Sequence, residues 1–261
     1  MLGSQVRTHY RQWWQHFRSP SAQPRVTDRT PVPVPACHRT DTVGHRVAPD
    51  AIARLQQWRK EIYPDVATSA LVAAAAHRAL TSNGIALNPA GCYTLIDLRR
   101  YLPAKQALRP GNLVKSVYIP AEMDDPQAIA AGIRDAVESA RAVPALAIGG
   151  LHAAGSPRDQ RPVRTEIQGV TMTFNYMMHN PGVDHIPWKD ASAARYATMS
   201  YPCAPDNLAV FACGAADGID FSVTFVPEVI DTSAVQRALS ELDDMPALLS
   251  RTPDMARVSG Q

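Results

Sequence analysis

A mixed α/β fold, with helices laid over a mixed β-sheet as a two-layer sandwich, is what the pattern of this 261-residue chain predicts. Three observations carry the prediction. An Ala-rich run through Ala70, Leu71, Ala74 and Leu80 has helical spacing and follows another helical segment over 49–62. Apolar runs at 92–98, 113–119 and 170–176 have strand composition. A pair of alternating apolar runs at 208–213 and 219–226 is joined through Asp217-Gly218, residues that tolerate positive φ in a tight turn.

In chain order, Val6, Tyr10, Trp13, Trp14 and Phe17 fall at helical spacing among arginines and glutamines, predicting an amphipathic N-terminal helix over 1–18. Such a face suits docking on a protein surface, and a membrane-surface helix is the other reading. Pro20, Pro24, Pro31, Pro33 and Pro35 predict a Pro-rich linker or strap over 19–44, because proline fixes φ and removes a backbone donor. The main domain is expected over 45–250 and a flexible tail over 251–261.

Within that domain a short strand at 44–47 precedes Pro49, which opens a helix carrying Ile52, Leu55, Trp58 and Ile62 on one face; Pro64 ends it. Thr68 is the expected N-cap of the Ala-rich helix, and Gly84 its stop. The many alanines predict close packing on a sheet. Pro126 opens a helix with Ile129, Ile133 and Val137; 144–165 mixes a short helix with loop, and Asn180-Pro181-Gly182 is turn chemistry. Asp231, Thr232 or Ser233 caps one last helix through Val235, Leu239, Leu242 and Leu248.

Composition excludes some functions. Net charge is only +2, with 26 Lys and Arg against 24 Asp and Glu, which gives no case for nucleic-acid binding. The basic excess is local, with residues 1–46 at +5 and the remainder at −3. No stretch reaches the roughly 20 apolar residues of a spanning helix, so integral membrane association is not expected. Cys37, Cys92, Cys203 and Cys213 lack C-x-x-C spacing and read as inert thiols. With no signal-like apolar run at the N-terminus, a cytoplasmic location is expected.

One constellation stands out. Asp97-Leu98-Arg99-Arg100-Tyr101-Leu102-Pro103 ends one predicted strand, and Pro110-Gly111-Asn112-Leu113-Val114 opens the next. Farther on come Phe174-Asn175-Tyr176 in a strand and, near the N-terminus, Tyr10-Arg11-Gln12-Trp13-Trp14. In this order the segments resemble the C-terminal lobe of the superfamily of coenzyme A-dependent acyltransferases and peptide-synthetase condensation domains, whose fold is that of chloramphenicol acetyltransferase. Gln12 stands where that family's Y-x-D-x-x-W-like helix has an acid. The family's catalytic signature, HHxxxDG, occurs nowhere in the chain.

The resemblance implies a lobe that faces a second lobe across a tunnel, with acyl-CoA or an acyl carrier protein as co-substrate and no tightly bound cofactor. It implies as partners an acyl thioester and either a second chain bearing the HHxxxDG lobe or another copy of this one. It offers Asp97, Arg99, Asn112, Asn175 and Tyr176 as substrate-binding candidates. Each also has a structural reading: ion pair or turn cap for Asp97 and Arg99, loop-to-strand turn for Gly111-Asn112, core strand for Asn175 and Tyr176. No catalytic residue carries over. His38 with Asp41, and His179 with Asp184 and His185, lack the doubled histidine and the following glycine; the latter group also matches no zinc spacing, so no metal is expected. A truncated acyltransferase lobe and a non-catalytic scaffold are the two functional expectations.

Overall fold

A computed structural model describes residues 32–33, 39–102, 113–143, 166–167, 169–178, 205–215 and 218–251. The elements are β1 (Val32–Pro33), β2 (Asp41–Val47), α1 (Pro49–Ile62), α2 (Thr68–Ser82), β3 (Gly91–Asp97), a 3-10 turn (Leu98–Tyr101), β4 (Val114–Pro120) and α3 (Pro126–Glu138). There follow β5 (Glu166–Ile167), β6 (Thr171–Met177), β7 (Asn207–Ala215), β8 (Gly218–Phe225), α4 (Thr232–Glu241), a 3-10 turn (Leu242–Asp244) and α5 (Met245–Ser250). Six strands form one mixed sheet in the order β2-β8-β7-β6-β3-β4, and β1 pairs antiparallel with β5. Parallel pairing joins β3 to β6 and β6 to β7; the other ladders are antiparallel. The expected layering of helices over a mixed sheet is therefore what forms.

Strand alternation decides which side the helices cover. Met172 and Phe174 of β6, Leu208, Val210 and Ala212 of β7, and Ile219, Phe221, Val223 and Phe225 of β8 share one face. They join Leu55 of α1, Leu71 and Leu80 of α2, Ile129 of α3, Leu239 of α4 and Leu248 of α5 in one core. At the β3–β4 end, Ile96, Val117 and Ile119 pack on Ala136 and Ala140. Among the described residues all five helices lie on this face. The opposite face bears the alternate residues, including Thr42, Gly44 and Arg46 of β2 and Asp220, Ser222 and Thr224 of β8.

Helix α2 lies at the middle of this layer. Seven consecutive residues, Ala70 to Ala76, are at most 2% exposed, so no side of the helix meets water. Alanine permits this: it favours the helix and lets neighbouring backbones approach closely. Arg78 then ties α2 to the end of α5, its Nη1 donating to the carbonyls of Leu248 (3.1 Å), Leu249 (3.0 Å) and Arg251 (2.7 Å). These carbonyls have no partner within their own helix, and a cation suits a helix C-terminus.

Three local expectations are corrected. Thr68 is the first residue of α2 rather than its cap; Ala67 occupies that position, and the Thr68 hydroxyl instead accepts a hydrogen bond from Gln56 of α1 (3.1 Å). The single last helix is two, because Asp244 caps a new start at the Ala247 N–H and Pro246 fits a first turn but not a helix interior. The strand expected at 44–47 begins at Asp41, where the Asp41 carboxylate accepts the Thr42 N–H and Thr42 meets Thr224 hydroxyl to hydroxyl at 3.2 Å. Pro49, Pro126 and Asp231 do what was expected, Asp231 capping through the Ser233 N–H at 3.0 Å. The N-terminal helix over 1–18, the segment 144–165 and the Asn180-Pro181-Gly182 turn lie outside the described residues.

Two helices end in the same hydrogen-bonded motif with different residues at its left-handed position. After α2, the Ile85 N–H bonds to Leu80 O (3.1 Å) and Gly84 N–H to Thr81 O (3.0 Å), with Gly84 at φ 86. After α3, the Arg141 N–H bonds to Ala136 O (3.1 Å) and Ala140 N–H to Val137 O (3.1 Å), with Ala140 at φ 52. The left-handed conformation costs an L-residue with a Cβ about 1 kcal/mol. Ala140→Gly is therefore expected to raise the unfolding free energy measured by chemical denaturation and Gly84→Ala to lower it, each by about 1 kcal/mol; a loss from Ala140→Gly would mean that the buried methyl outweighs the strain.

A polar cluster joins α2 to the loop before α3. The Asp124 carboxylate lies 3.4 Å from His77 Nδ1 and 3.6 Å from Arg78 Nε. The His77 hydrogen bond, then the charges of His77 and Arg78, hold the Asp124 carboxyl below the usual carboxylate range despite partial burial. A lowered folded-state value means that this stability is fully present above about pH 4 and is lost as pH falls below it. Acid titration of Asp124→Asn should show lower stability at pH 7 and a shallower acid limb than wild type; parallel limbs would remove the linkage.

Candidate functional site

Strands β3 and β6 run parallel next to each other, yet their ladder covers only Tyr93–Thr173 and Thr94–Phe174. Both strands continue beyond it. Leu95, Ile96 and Asp97 remain paired with β4, and Asn175, Tyr176 and Met177 remain paired with β7. The sheet therefore parts between the carboxyl ends of β3 and β6. In open α/β sheets this is the end at which ligands bind.

Four of the five predicted site residues belong to the two lips of this opening. Asn112 lies outside the described residues. Asp97 ends β3, where its carboxylate accepts the Arg99 N–H (2.9 Å) and faces Arg99 Nη1 at 3.3 Å. That bond starts the 3-10 turn, so Asp97 and Arg99 serve as turn cap and ion pair whatever else they meet. The turn is held in place by the Tyr101 hydroxyl donating to Val137 O of α3 (2.7 Å) and by the Leu98 N–H bonding to Leu113 O (2.7 Å).

Asn175 and Tyr176 occupy the other lip but not the same side. Neighbours along a strand point to opposite faces. Asn175 lies on the helix-free face, in register with Phe211, which pairs with Ser222, which in turn pairs with Gly44. Leu95 from the facing lip packs into the same region against Ala209, Phe211 and Cys213. Tyr176 turns to the helix side, against the main core, and burial holds its phenol above the usual range. The sequence triplet thus places one side-chain amide and one phenol on either side of the sheet at the parting point.

Beside the apolar Ala209, Phe211 and Cys213, the helix-free face also carries buried polar groups. Arg46 Nε lies 3.6 Å from Asp220, Thr173 donates to Asn207 (2.9 Å), and Ser222 and Thr224 are buried. Sequence reading missed this row, because Thr42, Gly44, Arg46, Asp220 and Ser222 belong to distant segments that only strand register unites. Cys92 is buried with its thiol pushed up to about 12, so it is no nucleophile, and among the described residues no group of His, Cys, Asp or Glu is arranged to hold a metal. His38, His179, Asp184 and His185 lie outside the described residues.

Among the described residues no hydrogen bond or ion pair ties the side chains of Asn175 and Tyr176 into the fold. Asn175→Ala and Tyr176→Phe should accordingly each change unfolding free energy by less than about 1 kcal/mol in chemical denaturation. A loss of several kcal/mol from Asn175→Ala would make it a structural residue.

No family model and no curated protein sequence matches the chain. Solved structures do. The trichothecene 15-O-acetyltransferase TRI3 from Fusarium sporotrichioides superposes with a TM-score of 0.62 at 14% identity, over 93% of this chain and 52% of that one. PapA2 acyl transferase follows with a TM-score of 0.54 at 12% identity, over 93% and 52%. The condensation domain from the Monacolin K polyketide synthase MokA gives 0.54 at 12% identity, over 95% and 57%. The chain spans about half the length of each. At such identities the likeness is one of fold, shared with about half of each of these acyltransferase and condensation-domain structures.

Proposed function

We propose that this chain is one lobe of an acyltransferase or condensation-type enzyme. It moves an acyl group from a coenzyme A or carrier-protein thioester to a hydroxyl or amine when a second chain supplies the catalytic histidine. The carrying observation is the pairing of a half-length acyltransferase-like fold with a sequence that lacks HHxxxDG. Acyl transfer from a thioester needs a base to take the acceptor's proton as the new bond forms at the carbonyl carbon and the C–S bond breaks, releasing the thiol. The described residues offer no such base at the β3–β6 opening. They offer Asn175 to hydrogen-bond an amide or carbonyl, Tyr176 on the far side, and an Asp97–Arg99 turn that shapes the lip.

Exposed apolar residues support a partner at this end. Met177 and Met178 leave β6 exposed, Met178 at 81%, and Val114 is exposed at the start of β4. The buried thiol of Cys92 fits a reducing, cytoplasmic setting.

The same missing histidine favours a second reading, a non-catalytic binding or scaffold protein that keeps the face of a thioester enzyme without its chemistry. One experiment separates the two. The chain is mixed with a separately expressed HHxxxDG-bearing lobe, and thiol release from an acyl thioester is followed in the presence of amine and hydroxyl acceptors. Turnover that needs both chains, and that falls at least about tenfold with Asn175→Ala, is the expected result for an enzyme lobe. A complex without turnover supports the scaffold, and neither complex nor turnover overturns both.

A further inference from the structure

The helix-free face of the sheet is buried at its middle, yet no described helix lies over it. Ala209, Phe211 and Cys213 of β7 are at most 5% exposed, and Asp220 and Ser222 of β8 at most 3%. Strand register puts these residues on the side opposite the helix layer, with Leu95 of β3 packed against the same patch. A ring such as that of Phe211 is kept from water by atoms stacked over it, so this face needs a cover.

The path of the chain points to the cover. β1 pairs with β5, and β5 leads within four residues into β6, the strand beside β7. The 31 residues before β1 therefore reach the sheet at the amino end of β6, next to the buried patch. Those residues carry Val6, Tyr10, Trp13, Trp14 and Phe17 at helical spacing, an aromatic stripe that needs covering in its turn. Reach is sufficient. An extended chain from Arg18 to Pro31 spans up to about 45 Å, whereas the nine residues of β7 measure about 30 Å. A helix over 6–17 is about 18 Å long, enough to lie from Leu95 on β3 across β6 to Cys213 on β7.

We propose that the helix expected over 1–18 docks on the helix-free face of its own sheet, with Trp13, Trp14 and Phe17 set over Ala209, Phe211 and Cys213. The two-layer sandwich then gains a third layer at its centre. That face is closed to other proteins, and a partner is left with the β3–β6 opening and the exposed Met177 and Met178 beside it. The inference does not depend on the acyltransferase reading.

Two buried thiols on opposite faces make the test, Cys213 on the helix-free side and Cys92 in the main core. Maleimide labelling is followed by peptide mass spectrometry on the full chain carrying Cys37→Ser and Cys203→Ser. Adding Trp13→Ser, Trp14→Ser and Phe17→Ser should speed labelling of Cys213 at least about tenfold and leave Cys92 unchanged. Unchanged protection of Cys213 overturns the proposal, and so does equal acceleration at both thiols, which would mean that the aromatic residues serve the fold as a whole. Exposure of Cys213 by Val183→Ser, Ile186→Ser and Trp188→Ser alone would assign the cover to the β6–β7 connection instead. Protection of Cys213 that is lost on dilution would assign it to a second copy. A second measurement needs no disruptive variant. With Trp58→Phe and Trp188→Phe, the remaining Trp13 and Trp14 should emit in the blue and resist acrylamide quenching. Solvent-like quenching, or shielding that appears only with anionic lipid vesicles, overturns the proposal whatever the thiols do.

Discussion

Burial of the middle of α2, Ala70 to His77, is the constraint on which the rest of this structure depends. A stretch of helix buried on every side must be enclosed, and here the sheet lies beneath it while α3, α4 and α5 pack around it. Close approach on every side is possible because Ala70, Ala73, Ala74, Ala75, Ala76 and Ala79 add almost no bulk, leaving Leu71, Val72 and Leu80 as the larger groups. Larger side chains at those alanines would force the layers apart, since cores at crystalline density do not absorb extra volume. Polar residues along and just after α2 tie it to its neighbours. Arg78 gathers the last carbonyls of α5, Asn83 donates to Glu241 at 2.8 Å, and His77 faces Asp124.

A helix layer fixed on one face has a consequence for the other. Strand alternation delivers as many residues to the helix-free side as to the core side, and those residues include an Arg46–Asp220 ion pair, Ser222, and the Thr42–Thr224 and Thr173–Asn207 contacts. A buried ion pair across β2 and β8 contributes little net stability, because desolvation offsets most of the attraction. It does penalise slippage. Moving the edge strand β2 by one residue would carry Arg46 into the apolar core and leave Asp220 unpaired. Polar character on this face and register in the sheet are thus two results of the same residues.

The sequence was most legible where one residue type has one physical job. Pro49 and Pro126 opened helices because their missing N–H is not needed there, Gly84 ended one because it sits at φ 86, and the alternation over 208–213 and 219–226 became the buried hairpin of β7 and β8. Reading failed where two residues compete for one role. Thr68 was as good a cap by composition as any, but Gln56 claims its hydroxyl, and the choice depends on a helix packed against it. The break at Leu242–Asp244 was written in Asp244 and Pro246, yet the apolar stripe Val235, Leu239, Leu242, Leu248 runs straight through it. The candidate site was half legible. Asp97, Arg99, Asn175 and Tyr176 follow from the motif order, whereas the opening between them is a property of the β3–β6 ladder, which ends at Thr94 and Phe174 for reasons that no local pattern states.

That early end of the ladder explains why such dissimilar residues fall together. Two parallel strands that separate leave backbone donors and acceptors on facing edges, and these groups need partners wherever water is scarce. An extended substrate arm rich in amides would meet that need better than an apolar chain. Asn175 beside the gap adds a side-chain amide of the same kind, whereas the Asp97 carboxylate is already taken up by the Arg99 N–H and guanidinium of its own turn.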